Sequence, residues 1–76
     1  VNILPPMTSI VRWQGAIEKN AEVAMLAKTA RHAWDAVSNC IQSEHSYECP
    51  CIIAWPLSEA STVYAAWLRD AVPFNR

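Results

Sequence analysis

Four residues stand close enough along the chain to share one ion: His45, Glu48, Cys49 and Cys51. Imidazole and thiolate suit copper or zinc, and a carboxylate adds a harder oxygen donor. Each also has a plainer role. Cys49-Pro50-Cys51 straddles the start of an apolar run, so both thiols would point to one face of an extended segment. Cysteine is among the most often buried residue types, and no second ligand pair at zinc-finger spacing is present. Packing is therefore the favoured reading of the cysteines. His45 lies in the polar stretch Glu44-His45-Ser46, where a histidine can serve equally as a ligand or as a helix-terminus residue. If a divalent cation such as copper is bound, His45 and Glu48 are the first donors and Cys49 the third, in a coordinating and not a catalytic role. A second constellation is aromatic. Trp13, Tyr47 and Trp67, with Glu48 beside them, would make a small-molecule pocket. The favoured alternative places the tryptophans in a core or a subunit interface.

Reaction chemistry finds less support. Ser, His and Asp are present, but there is no Gly-x-Ser-x-Gly elbow. The single glycine cannot build a phosphate-cradling loop. His45-x-x-Glu48 and Pro50-Cys51-Ile52-Ile53 fail both halves of the zinc-deaminase pattern. The chain reads as a non-enzyme. Its six basic residues are scattered and its net charge is -1, so neither nucleic acid nor an anionic membrane surface is an expected partner. The longest uncharged apolar stretch, residues 49–57, is too short to span a bilayer and carries two prolines. Three cysteines are an odd count, which fits reduced thiols in the cytoplasm better than a disulfide framework.

These residues must be held by a single domain, 1–76. A chain of 76 residues buries only about 60% of its unfolded surface and is marginal by itself. Apolar residues make up 53% and charged ones 17%, against about 25% charged in an average soluble domain. That excess points to self-association. The chain opens on Val1 and not Met, as expected of a fragment, of a chain trimmed of a tag, or of one with a leader ahead of Val1.

Residues 8–13 are β-branched and aromatic and predict a strand. Gln14-Gly15 then predicts a tight hairpin turn, with the next strand starting near Ile17. Residues 16–42 admit two readings. Their Ala, Glu, Lys, Met and Leu content, with Val23, Ala27, Ala30, Trp34, Val37 and Ile41 at helical spacing, favours one long helix by composition. The hairpin glycine argues for a strand over 17–28, then a helix over about 30–44 capped by Thr29. Residues 51–55 read as a strand buried on both faces. Ser58 would cap a last helix with Glu59 in its first turn, Val63, Tyr64, Trp67, Leu68 and Ala71 as its apolar face, and Pro73 as its stop.

Val1-Asn2-Ile3-Leu4-Pro5, Thr8-Ser9-Ile10 and Arg12-Trp13-Gln14-Gly15 resemble the second strand and hairpin of the CutA divalent-cation tolerance family. Glu22-Val23 through Lys28-Thr29 resembles that family's long third strand. His45-Ser46-Tyr47-Glu48-Cys49-Pro50 resembles its His-Pro-Tyr-Glu-x-Pro signature, and Ile52-Ile53, Pro56, Tyr64 and Trp67-Leu68 its closing strand and helix. Four positions depart from the pattern. Ser46 replaces the signature proline, Gln14 a glutamate, Ala16 a lysine and Ala60 a glycine.

The resemblance implies an α+β, ferredoxin-like antiparallel sheet with helices on one face, lacking the first strand and helix of the family's β-α-β-β-α-β unit. It implies a trimer and a role in divalent-cation (copper) tolerance. In that fold the first strand is central, so the remaining strands either pair directly or take an edge from a neighbouring subunit. Two other roles stay open. One is a structural or signalling trimer similar to the PII proteins, with small molecules in clefts between subunits. The other is a decayed fragment without a ligand.

Overall fold

The computed structural model describes residues 1–73. Two antiparallel strand pairs and two helices make an α+β chain. In order they are β1 (Asn2–Ile3), β2 (Met7–Trp13), β3 (Ala16–Glu22), β4 (Met25–Leu26), a 3-10 turn (Arg31–Ala33), α1 (Trp34–Glu44) and α2 (Thr62–Ala71).

Gln14-Gly15 closes the chain on itself as expected. Gln14 has φ 49° and Gly15 φ 82°, so both turn residues are left-handed. This is the two-residue turn whose twist matches that of paired strands. It sets β2 against β3 from Trp13↔Ala16 out to Met7↔Glu22. Farther out, Leu4 N–H donates to the Ala24 carbonyl (2.9 Å) and β1 pairs with β4 through Ile3↔Met25 and Asn2↔Leu26. The two pairs are thus one long hairpin with an interruption.

Pro5-Pro6 causes that interruption. Neither residue has an N–H for the ladder. From Leu4 to Met7 one arm advances three residues, while from Ala24 to Glu22 the other moves two. The extra residue is a bulge, and it swaps which side chains share a face on either side of it.

The hairpin overturns the single long helix that composition favours over 16–42. Good helix formers at 16–22 are extended because the turn delivers them beside a waiting strand, whose ladder outweighs propensities of a few tenths of a kcal/mol each. The shorter helix begins later than expected. One 3-10 turn precedes it, its N-cap is Ala33 with no side-chain cap, and Thr29 plays no capping part. Asp35 in its first turn complements the dipole.

Two expectations for the C-terminal half are corrected. Residues 51–55 form no strand. A strand exists only by its ladder, no described strand lies beside this segment, and Pro50 and Pro56 remove donors at both ends. Neither Cys51 nor Ile53 is buried, and Ile53 is 71% exposed. The last helix is capped by Ser61 and not Ser58: Ser61 Oγ accepts from Tyr64 N–H at 3.2 Å. Glu59 therefore lies ahead of the helix. The stop is as expected, with Val72 as the C-cap and Pro73 next. The 3-10 turn reaches this end of the chain, where His32 Nε2 donates to the Pro73 carbonyl (3.3 Å).

None of the described residues is buried. No Cα of either helix comes within 8 Å of a strand Cα. The radius of gyration is 15.5 Å, where a compact domain of this length would have about 11 Å. The apolar residues chosen as core therefore face water in the single chain, the α2 face included, with Trp67 60% exposed.

Candidate functional site

The hairpin register builds one wall of a site. Side chains two apart on a strand share a face, and paired residues lie opposite on that same face. Glu18, Asn20 and Glu22 on β3 therefore share a face with Val11 and Trp13 on β2, through the pairs Val11↔Glu18 and Trp13↔Ala16. The loop after α1 closes over this wall. Tyr47, Glu48, Cys49 and Cys51 complete an open cavity of ≈ 600 Å³, and Arg12 reaches its rim from the other face.

His45 sets the path of that loop. It is the C-cap of α1, extended at φ -77°, ψ 140°, and its backbone N–H donates to the Ile41 carbonyl at 2.9 Å. Its Nδ1 accepts from the Tyr47 N–H at 3.0 Å, and the two rings meet at 4.6 Å between centroids, tilted by 56°. This contact turns Tyr47 toward Glu22. The Glu22 carboxylate raises the Tyr47 phenol above its ordinary 10.0: chiefly its negative charge, then partial loss of water, then the hydrogen bond it accepts.

The structure brings together Trp13, Tyr47, Glu48 and Cys49 of the residues singled out from sequence. His45 flanks them against Tyr47 without lining the cavity. Trp67 does not join them; it lies on α2 beside Tyr64, 5.8 Å between ring centroids. Glu18, Asn20 and Glu22 were not anticipated. Their signal was the polar i, i+2, i+4 alternation just past the hairpin glycine, which is legible only once that segment is read as a strand. Cys51, weighed as a packing residue, is an exposed thiol on the cavity wall.

The donor set fits a metal in part. Carboxylates and thiols suit divalent ions of the copper–zinc class. In the present arrangement His45 Nδ1 is spent on Tyr47, which leaves the ring proton on Nε2, so coordination by His45 requires that contact to open. Among the described residues no three His, Cys, Asp or Glu side chains group closely enough to hold an ion. A divalent ion held by this chain must draw further donors from water or from another chain. A second concavity, ≈ 410 Å³, lies between the hairpin's far end and α1. Val1, Met25, Ala27, Val37 and Ile41 make it apolar, and Cys40 belongs to it and not to the acidic cavity. No helix among the described residues is long and apolar enough to cross a membrane.

Comparison with known proteins agrees with this architecture. The sequence profile of the family described as CutA1 divalent ion tolerance protein matches residues 1–71. The divalent-cation tolerance protein CutA of Thermus thermophilus is 40% identical over 70 residues, covering 92% of this chain and 68% of that protein. Protein CutA of Bos taurus is 38% identical over 70 residues, covering 92% of this chain but only 40% of its own length. The solved structure of the divalent cation tolerance protein (Cut A1) from Thermus thermophilus superposes with a TM-score of 0.89 at 38% identity, over 95% of this chain and 70% of that one. The chain thus spans about two thirds of its bacterial relative and less than half of the cattle one.

Proposed function

The chain belongs to the CutA1 divalent ion tolerance family, and from that premise we propose that it binds divalent cations as a non-catalytic cytoplasmic trimer. Copper is the preferred ion, since Cu²⁺ stands at the top of the affinity order for mixed nitrogen, oxygen and sulfur donors. The observation that carries this reading is the sign of the cavity. Glu18, Glu22 and Glu48 face a single guanidinium, Arg12, with two thiols among them. Such a concavity concentrates cations. Glu48 and Cys49 supply donors from its wall, and His45 joins when its contact with Tyr47 opens. The odd count of three cysteines fits a reducing compartment.

Self-association rests on the exposed apolar surface. Copies packed about a three-fold axis would cover the outward faces of the 50–57 segment and α2, and would bring second donors toward an incomplete ion site. Cu²⁺ titration of the wild type, His45→Ala and Glu48→Gln, repeated with Zn²⁺ to exclude thiol oxidation, tests the donor assignment. Each variant should bind about tenfold more weakly, and affinity should fall with pH as protons compete for imidazole and carboxylate. Equal affinity in all three proteins refutes it. The aromatic wall of Trp13 and Tyr47 supports a second reading, a small planar ligand in the same cavity. A ligand-dependent rise in unfolding midpoint without metal would favour that role.

A further inference from the structure

The cavity against β3 carries its polar groups in a row, with a ring at each end. Glu18 and Glu22 stand at the two ends of one strand face, and Asn20 lies midway between them. A strand advances about 3.3 Å per residue, so the two carboxylates are about 13 Å apart and Asn20 is about 7 Å from each. Trp13 pairs with Ala16 and is therefore the diagonal neighbour of Glu18, a separation that an aromatic side chain reaches. At the other end the Tyr47 phenol donates to Glu22. Glu48 enters the same cavity from the loop after α1.

Such a row suits a ligand whose own charges are spaced along a flexible chain. Among the described residues no three His, Cys, Asp or Glu side chains group closely enough to share one point charge. We infer that the cavity is a binding site for a linear aliphatic triamine of spermidine length. Three bonds of extended chain advance about 3.6 Å, so outer nitrogens nine bonds apart are separated by about 11 Å. Carboxylates about 13 Å apart can each accept from one outer ammonium. The inner ammonium is four bonds from one end and five from the other, or about 5 and 6 Å. That places it beside Asn20, whose carboxamide oxygen accepts, with the Glu48 carboxylate in the same cavity.

The rings supply what carboxylates cannot. An ammonium is attracted to the face of an indole or a phenol, and the methylenes between the charges pack on apolar ring surface. Three carboxylates against the one guanidinium of Arg12 leave the cavity negative, which draws a trication and makes its affinity fall with salt. A four-carbon diamine has its nitrogens five bonds apart, about 6 Å, and meets only one end carboxylate at a time. The inference shares the negative sign of the cavity, and Glu48, with the divalent-cation reading. It needs neither a metal nor a thiol.

The test is calorimetric titration of the full reduced chain with spermidine, after divalent ions have been removed on a chelating resin. The wild type should bind one spermidine per chain. Glu18→Gln and Glu22→Gln should each weaken binding about fivefold. Glu59→Gln removes an equal charge ahead of α2 and outside the cavity, and should leave affinity unchanged. Putrescine should bind at least fivefold more weakly than spermidine. A second measurement needs no variant: spermidine should shift the indole N–H resonance of Trp13 and leave that of Trp67 in place. No binding by the wild type, an equal loss in Glu59→Gln, putrescine as tight as spermidine, or a shift at Trp67 without one at Trp13 would each overturn the site. The divalent reading is judged apart from it. Spermidine binding in this metal-free protein, with metal affinity unchanged in His45→Ala and Glu48→Gln, keeps the amine site and refutes the ion donors; metal binding as expected with no spermidine binding does the reverse.

Discussion

Ile53→Ala and Trp55→Ala probe what covers the segment between the helices. The chain has 6927 Å² of accessible surface, where a compact monomer of 8.5 kDa would have about 4,700 Å². The excess of about 2,200 Å² is more than twice the roughly 800 Å² that one partner contributes to a standard interface. Ile53 is 71% and Trp55 65% exposed. If water is their permanent environment, truncating either changes stability by less than about 0.5 kcal/mol. If another copy covers them, Ile53→Ala removes buried methyl groups and costs about 2 kcal/mol per chain. In a three-fold ring that loss occurs three times, about 6 kcal/mol, which weakens the trimer-to-monomer constant by about four orders of magnitude. Sedimentation velocity over a hundredfold dilution series reads this directly. The wild type should hold one association state through most of the series, and both variants should dissociate at its upper end. A wild type that sediments as a monomer throughout, or variants that associate with wild-type affinity, would refute the inference from exposed surface to assembly.

Two further predictions concern the hairpin and the cavity. Gly15→Ala meets no atom within 4 Å, so its cost is the left-handed φ of 82° alone, a loss of about 1 kcal/mol after the stiffer unfolded chain is counted. Gln14→Asn should change stability in the opposite direction by a few tenths, because Asn-Gly is the preferred pair for this turn; denaturant midpoints of the two variants check the signs. The Tyr47 phenol is raised by Glu22, so the contact contributes fully below the ordinary phenol value of 10.0 and is lost as pH rises through the elevated midpoint. Ultraviolet titration of tyrosinate should show a late-ionising tyrosine that returns toward its ordinary value in Glu22→Gln; identical curves would contradict the Glu22 contact.

The hairpin was legible from local sequence because its cause is local. A lone glycine between two apolar runs predicts the turn, whereas the break in the ladder at Pro5-Pro6 emerged only from the pairing register. The segment after the turn was harder. Its residues are good helix formers, and only pairing with β2 makes them a strand. With helix and strand both open by composition, Glu18, Asn20 and Glu22 were not singled out, since their alternation means a shared face in a strand and a scattered one in a helix. The run 51–55 failed in the other direction. It has a strand's composition, but composition cannot supply a hydrogen-bonding neighbour. Ser58 and Ser61 are both acceptable caps by type, and which one starts α2 was settled by the Oγ that meets Tyr64 N–H.

From residue types alone came the reversal at Gln14-Gly15 and a surplus of apolar side chains, while the α+β class came through the family resemblance that the hairpin and the loop after α1 carry. The first two depend on glycine's φ freedom and on composition, neither of which needs a distant partner. The tertiary structure decided what lies across from what. It set Glu18 and Glu22 opposite Tyr47 and Glu48, placed Cys49 and Cys51 in one cavity with Cys40 in another, and left Trp67 apart from the aromatic pair. Those juxtapositions follow from the strand register and from the His45 contact that turns the loop, and contacts between residues far apart in the chain are fixed only when the chain has folded.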